Sequence, residues 1–120
     1  MYAAELKSRT QDFALRIIRL SEALPRTATG KVIGMQLLRS GTSVGANYRA
    51  ACRGRSKPDF ISKLGIVLEE ADETVYWLEL VIKANLLAES KVEPLLKEAN
   101  ELVSIFVASS KTAKSANSAI

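Results

Sequence analysis

Histidine is absent from this chain of 120 residues, and cysteine occurs once, at Cys52. Those two shortages exclude Ser-His-Asp triads, Cys-His pairs, His-containing zinc clusters and any internal disulfide. No metal or cofactor site is expected, and Cys52 reads as a small buried filler. Long apolar runs are missing as well. The most apolar stretch, VYWLELVI, is interrupted by Glu79 and is far too short to span a bilayer, so no membrane partner is expected. The opening MYAAELKSRTQDF is charged from Glu5 onward and has no apolar core of the kind that drives secretion, which points to a cytoplasmic location. Strand-like alternation and internal repeats are also lacking. What remains, 48% hydrophobic and 25% charged, is the composition of one ordinary domain, able to bury roughly two thirds of its unfolded surface.

One further absence is local. From Arg26 to Lys57 there are seven cations and no acid. Residues 1 to 57 carry 11 Lys/Arg against 3 Asp/Glu, whereas residues 58 to 120 carry 6 against 10, within a net charge of +4. Such asymmetry fits a surface for nucleic acid or an acidic protein. It equally fits a basic helix facing an acidic neighbour in its own fold.

Helical periodicity runs through the whole sequence. Leu6, Phe13, Ile17, Leu20 and Leu24 share one face of a helix over about residues 3 to 24, and Pro25 stops it. Thr27 can cap a second helix, about 28 to 53, with Gly54 as the stop signal. Ser56 and Asp59 have capping-box spacing for a third, about 58 to 84. Its expected seam is Ile61, Leu64, Leu68, Ala71, Val75, Leu78 and Ile82, at three-four spacing. Asn85 suits a left-handed C-cap. Ser90 and Glu93 repeat the capping-box spacing before a fourth helix, about 91 to 108, whose seam is Val92, Leu95, Ala99, Leu102 and Phe106, with Pro94 in its first turn. Residues 109 to 120, polar and small, are expected as a flexible tail. The fold class is therefore all-α, an antiparallel up-down-up-down four-helix bundle.

The second helix departs from a plain amphipathic pattern. Gly30, Gly34, Gly41 and Gly45 sit inside it, each costing about 1 kcal/mol relative to Ala. Gly41, Thr42, Ser43, Gly45 and Ala46 form a patch nearly free of side chains, which points to close approach of another helix, with a kink as the alternative. The fragment TGKV resembles a phosphate loop only superficially, since it lacks the upstream Gly, the Ser/Thr after Lys and a preceding strand.

Gln36, Arg39, Ser43 and Asn47 form a polar stripe along the same helix, within an arc of about 80° at 100° per residue. Apolar residues flank it, so Arg39 is expected to be substantially buried and to need a carboxylate. The third helix offers Glu69, Asp72 and Glu73. An ion-pair network linking Arg39 to Glu73 or Glu69 resolves the burial most simply, and a functional polar pocket is the alternative. Carboxylates without His, metal ligands or a nucleophile do not make a catalytic site, and no enzymatic activity is expected.

The run QLLRSGTSVGANY, residues 36 to 48, followed by DFISKL and EEADETVYWLEL, closely resembles a bacterial family. Its members were first noticed as reading frames inside intervening sequences of 23S ribosomal RNA genes. The accessory variability proteins of diversity-generating retroelements are distant relatives. The resemblance implies a four-helix bundle assembling into a homopentameric ring, with no established activity. By analogy with the accessory proteins, it also suggests nucleic acid or a reverse transcriptase as partner. Many members have Glu three residues after the Asn of Ala-Asn-Tyr, where this chain has Ala50.

Arg49, Arg53, Arg55 and Lys57 cluster where the second helix ends. Repeated around a ring, they would form a multivalent basic surface suited to phosphate backbones. The alternative is that they satisfy the helix C-terminus and pair with neighbouring acids. The leading functional expectation is a noncatalytic oligomeric scaffold that binds RNA, DNA or a ribonucleoprotein. The alternative is an adaptor for an acidic protein partner.

Overall fold

In the computed structural model, which describes residues 2–118, four helices follow one another with short connections: α1 Tyr2–Ala23, α2 Ala28–Cys52, α3 Lys57–Lys83 and α4 Glu89–Ser118. All described regular structure is helical, and the helices form a bundle-like body of 52 × 22 × 20 Å. No helix among the described residues is long and apolar enough to cross a membrane.

Local chemistry explains each break. Pro25 cannot continue α1, and the Thr27 hydroxyl accepts from the Gly30 amide at 3.1 Å to start α2. The Ser56 hydroxyl accepts from the Asp59 amide at 3.2 Å to cap α3, and the Asp59 carboxylate reaches back one residue further, accepting from the Arg55 amide at 3.2 Å. Asn85 has φ 56°, the left-handed C-cap expected of it; the Asn85 amide donates to Ile82 and the Leu86 amide to Val81, each at 3.0 Å, closing a Schellman motif. Gly54 acts otherwise than expected, since it has no positive φ. Its constraint is space: a Cβ there would stand 3.0 Å from the Ala51 carbonyl oxygen and 3.1 Å from the Asp59 carboxylate.

The seams expected on the first and fourth helices are the buried ones: Leu6, Phe13, Ile17, Leu20 and Leu24, and Val92, Leu95, Ala99, Leu102 and Phe106. Thr10 joins the first seam because its hydroxyl donates to the Leu6 carbonyl at 2.7 Å and carries no unpaired group inward. The third seam is a correction. Of the expected seam Leu64, Ala71, Val75 and Leu78 are buried, but Val67, Thr74 and Val81 join them in the core, whereas Ile61, Leu68 and Ile82 are only half-buried. Two three-four patterns overlap here and share Leu64, Ala71 and Leu78; the one carrying Thr74 wins because that hydroxyl is satisfied. It donates to the Glu70 carbonyl at 2.8 Å and shares a hydrogen bond with the Ser40 hydroxyl on α2 at 2.9 Å.

Two further expectations change on α4. The helix begins at Glu89, so Ser90 lies within its first turn instead of capping it. It also continues through residues 109 to 118, where a flexible tail was expected. Ser110 and Ala113 extend the buried side beyond Phe106 at spacings of four and three, and helix propagation onto an existing packed face is favourable even for small residues. Residues 119 and 120 lie outside the described residues.

Helices adjacent in sequence pack closely, but α1 meets α4 much more sparingly. The two helices share the apolar core, and at their surface Arg9 adds a polar link, reaching Glu98 at 2.7 Å and Glu101 at 2.8 Å.

Candidate functional site

The glycines of α2 determine how α2 meets α1. A Cβ at Gly41 would lie 2.8 Å from both Cγ atoms of Ile17, and one at Gly45 would lie 3.1 Å from the Thr10 hydroxyl. At Gly30 it would meet the Pro25 carbonyl oxygen of the connecting turn. Close approach, not a kink, is therefore what these glycines serve, and packing against α1 offsets their helix-propensity cost.

On the flank of α2 that faces α3, the polar stripe makes a line of short-range bonds. Arg39 Nε donates to Gln36 at 3.3 Å, the Ser43 hydroxyl donates to the Arg39 carbonyl, and the Asn47 amide donates to the Ser43 carbonyl at 2.9 Å. The Arg39 guanidinium spans to α3, where it bonds Glu70 at 3.0 and 3.2 Å and also Glu73. Glu73 accepts from the Trp77 indole at 3.0 Å too. The Trp77 bond foremost, with Arg39 second, holds the Glu73 carboxyl below its ordinary range, and Glu73 and Glu70 raise Arg39 above its own.

Two expectations about the stripe are corrected. Arg39 is not buried; its side chain keeps 48% exposure at the lip between α2 and α3, while the inward positions beside it are taken by Leu37 and Ser40. Its second partner is Glu70, not Glu69: Glu70 and Glu73 are one helical turn apart on the lip, whereas Glu69 is rotated to solvent. The stripe is thus a neutralised surface seam. The buried polar contact between these helices is Ser40 with Thr74, which the sequence reading missed because each residue alone looks like an ordinary small helix residue.

The flank of α2 that faces α1 has the opposite electrostatic character. Because Thr42, Gly45 and Ala46 have little side chain, an open groove of about 610 Å³ runs between the two helices. Lys7, Ser8, Gln11 and Ala14 of α1 line one wall, and Arg49 and Arg53 of α2 stand at the other; no carboxylate lines it. The C-terminal carbonyls of α2 are met by backbone amides, not by arginine side chains: the Arg53 amide donates to Arg49 and Ala50, and the Gly54 amide to Ala51. Among the described residues the side chains of Lys7, Arg49, Arg53, Arg55 and Lys57 make no ion pair, in contrast to Arg9, Arg39 and Lys63.

The expected cluster of four cations is therefore divided. Arg49 and Arg53 share the groove with Lys7, while Arg55 and Lys57 sit exposed at the connection to α3. Lys7 was missed; its spacing from Gln11 and Ala14, beside the buried seam of α1, was the available signal. Cys52 is half-buried instead of fully buried, and Tyr48 above it is pushed up chiefly by its own burial and then by its bond with Cys52. Among the described residues no group of three or more acids or Cys gathers to hold a metal.

The model of the family described as 23S rRNA-intervening sequence protein matches residues 4–108. A crystal structure of a protein of unknown function from the S23 ribosomal protein family of Bacteroides thetaiotaomicron is 38% identical, with a TM-score of 0.85, covering 92% of this chain and 99% of that one. No curated protein matches the chain.

Proposed function

Because the chain belongs to the 23S rRNA-intervening sequence protein family, we propose that it is a noncatalytic oligomeric scaffold whose basic surface binds RNA, DNA or a ribonucleoprotein. The observation that carries this reading is a division of charge: the α3 flank of α2 is neutralised by Glu70 and Glu73, while Arg49 and Arg53 at the end of α2, with Arg55 and Lys57 at the connection to α3, stand exposed and make no ion pair. Unpaired cations left together on one surface are an electrostatic footprint for a polyanion.

The assembly in this reading is a homopentameric ring of up-down-up-down bundles in the cytoplasm. Opposed helix directions are supported by the pairing of Gly41 with Ile17 and Gly45 with Thr10, and by Arg9 with Glu98 while Leu20 lies beside Lys91 and Leu95. Self-association is supported by apolar surface that one subunit leaves uncovered, above all Val32 and Met35 on α2, at 59% and 71% exposure, with Leu38 beside them. A monomeric mass by light scattering at micromolar concentration would remove the oligomer from the proposal.

The nucleic-acid part is tested by binding to unrelated RNA and DNA duplexes across a salt series. Binding through phosphates weakens linearly on logarithmic axes as salt rises, by about 0.9 in slope per phosphate on duplex DNA. Failure to bind any nucleic acid near physiological salt, together with nuclease-resistant capture of one acidic protein, would favour the adaptor reading with the same cations.

A further inference from the structure

We propose that the groove between α1 and α2 is the phosphate-binding element of this protein and takes the backbone of duplex nucleic acid. This rests on the nucleic-acid reading and adds a location, a set of residues and a mode of contact. Lys7 of α1 faces Arg49 and Arg53 of α2 across a floor of Thr42, Gly45 and Ala46, so three cations from two helices surround one concavity. Arg55 and Lys57 lie outside it.

Several features of the groove match a phosphate backbone. No carboxylate lines it, so an entering phosphate meets no like charge there. Ser8 and Gln11 add uncharged donors among the lining residues. The Thr42 and Thr10 hydroxyls are already spent on the Leu38 and Leu6 carbonyls and add none. Guanidinium groups at Arg49 and Arg53 offer the planar fork that fits phosphate oxygens. From Thr42 to Arg53 the wall runs roughly 16 Å at 1.5 Å per residue, long enough for several phosphates spaced at about 3.4 Å of axis along one strand.

The absence of any aromatic residue from the lining decides between duplex and single strand. Sequence-tolerant single-strand grooves combine cations with aromatic platforms on which bases stack. This groove has cations and donors only, so it engages phosphate and sugar, leaves base edges unread and discriminates poorly among sequences. The floor is recessed because Gly45 and Ala46 supply almost no side chain; a strand enters where a larger residue would stand.

Two variants test the site in the full-length protein, with a 20-base-pair duplex of arbitrary sequence as probe. The first combines Lys7→Gln, Arg49→Gln and Arg53→Gln. The second is Ala46→Glu, which places a carboxylate on the groove floor at an exposed helical position and leaves every cation present. Both are expected to weaken duplex binding on the order of tenfold or more and to flatten the salt slope by about 0.9 for each phosphate that is no longer neutralised, while helicity and oligomer mass stay unchanged. Two controls accompany them: Lys83→Gln with Lys97→Gln, which removes two exposed cations outside the basic surface, and Asn100→Glu, which matches the charge change of Ala46→Glu on exposed α4. Both controls are expected to retain most of the affinity.

The outcomes separate the two claims. If the unmodified protein binds duplex but the groove variants match it, or the two controls weaken binding as much as the groove variants do, the nucleic-acid reading survives and the groove is overturned. Preference for an unpaired strand over duplex would overturn the mode of contact. If the unmodified protein binds no nucleic acid and captures an acidic protein instead, both claims fall.

Discussion

The two flanks of α2 carry the same kinds of residue and use them in opposite ways. Toward α3, small polar side chains interlock: Ser40 shares a hydrogen bond with Thr74, and Arg39 is held by Glu70 and Glu73. Toward α1, glycines bring the backbones together, and the cations at the edge, Lys7, Arg49 and Arg53, are left without acids. An arginine on this helix therefore has no fixed meaning. Its role is set by whether the neighbouring helix presents carboxylates at turn spacing, as α3 does, or Lys, Ser and Gln, as α1 does.

The largest expected break of this contrast is Gly41→Leu on the α1 flank. A side chain there collides with Ile17, whose branched Cγ atoms cannot swing away, and destabilisation of about 3 kcal/mol is expected by chemical denaturation. A tolerated leucine would show that α1 does not need the close approach. Next in size is Thr74→Val on the other flank, which deprives the buried Ser40 hydroxyl of its partner while keeping the volume. The expected loss is about 1–3 kcal/mol of unfolding free energy, and an unchanged denaturation midpoint would show that Ser40 finds another partner.

Smaller effects sharpen the electrostatic half of the comparison. Arg39→Met should shift the thermal midpoint only slightly, because its guanidinium is half exposed at the lip between α2 and α3. Had Arg39 been buried, the same change would have been severe. Smallest is the acid limb. Glu73 has a lowered pKa in the fold, so its stabilisation is present above the ordinary carboxylate range and fades as pH falls through its depressed value. Glu73→Gln should therefore make the stability curve flatter below about pH 4.3, the usual glutamate value, and an identical acid limb would assign the sensitivity to another lowered carboxylate such as Asp59.

What the sequence disclosed follows from how much each feature depends on one segment. The seams of α1 and α4, the cap residues Thr27, Ser56 and Asn85, and the close approach at Gly41 and Gly45 are written within single stretches of chain, and they were legible. The seam of α3 was only partly legible, because Ile61, Leu68 and Ile82 look more apolar than Val67 and Thr74, and the buried threonine is accommodated by bonds to the Glu70 carbonyl and to Ser40 across the interface. The end of α4 was hidden for a related reason: Ser110 and Ala113 are poor core residues by composition and become core only by lying on a helix already docked. At the candidate site, Arg49 and Arg53 were visible as a cluster, but Lys7 lies 42 positions before Arg49, and nothing local announces that α1 brings it alongside.

The sparing contact between α1 and α4 has a consequence for motion. Since α1 approaches α2 closely but α4 only sparingly, it can detach as a unit at a lower free energy than global unfolding. Its backbone amides should then exchange with solvent deuterium faster than those of α3, which is packed on both sides. A duplex lying in the groove touches α1 and α2 together and binds only while α1 is docked. Its presence would raise the opening free energy by mass action, and the slowing of exchange would extend along the whole of α1, beyond any residue the nucleic acid touches.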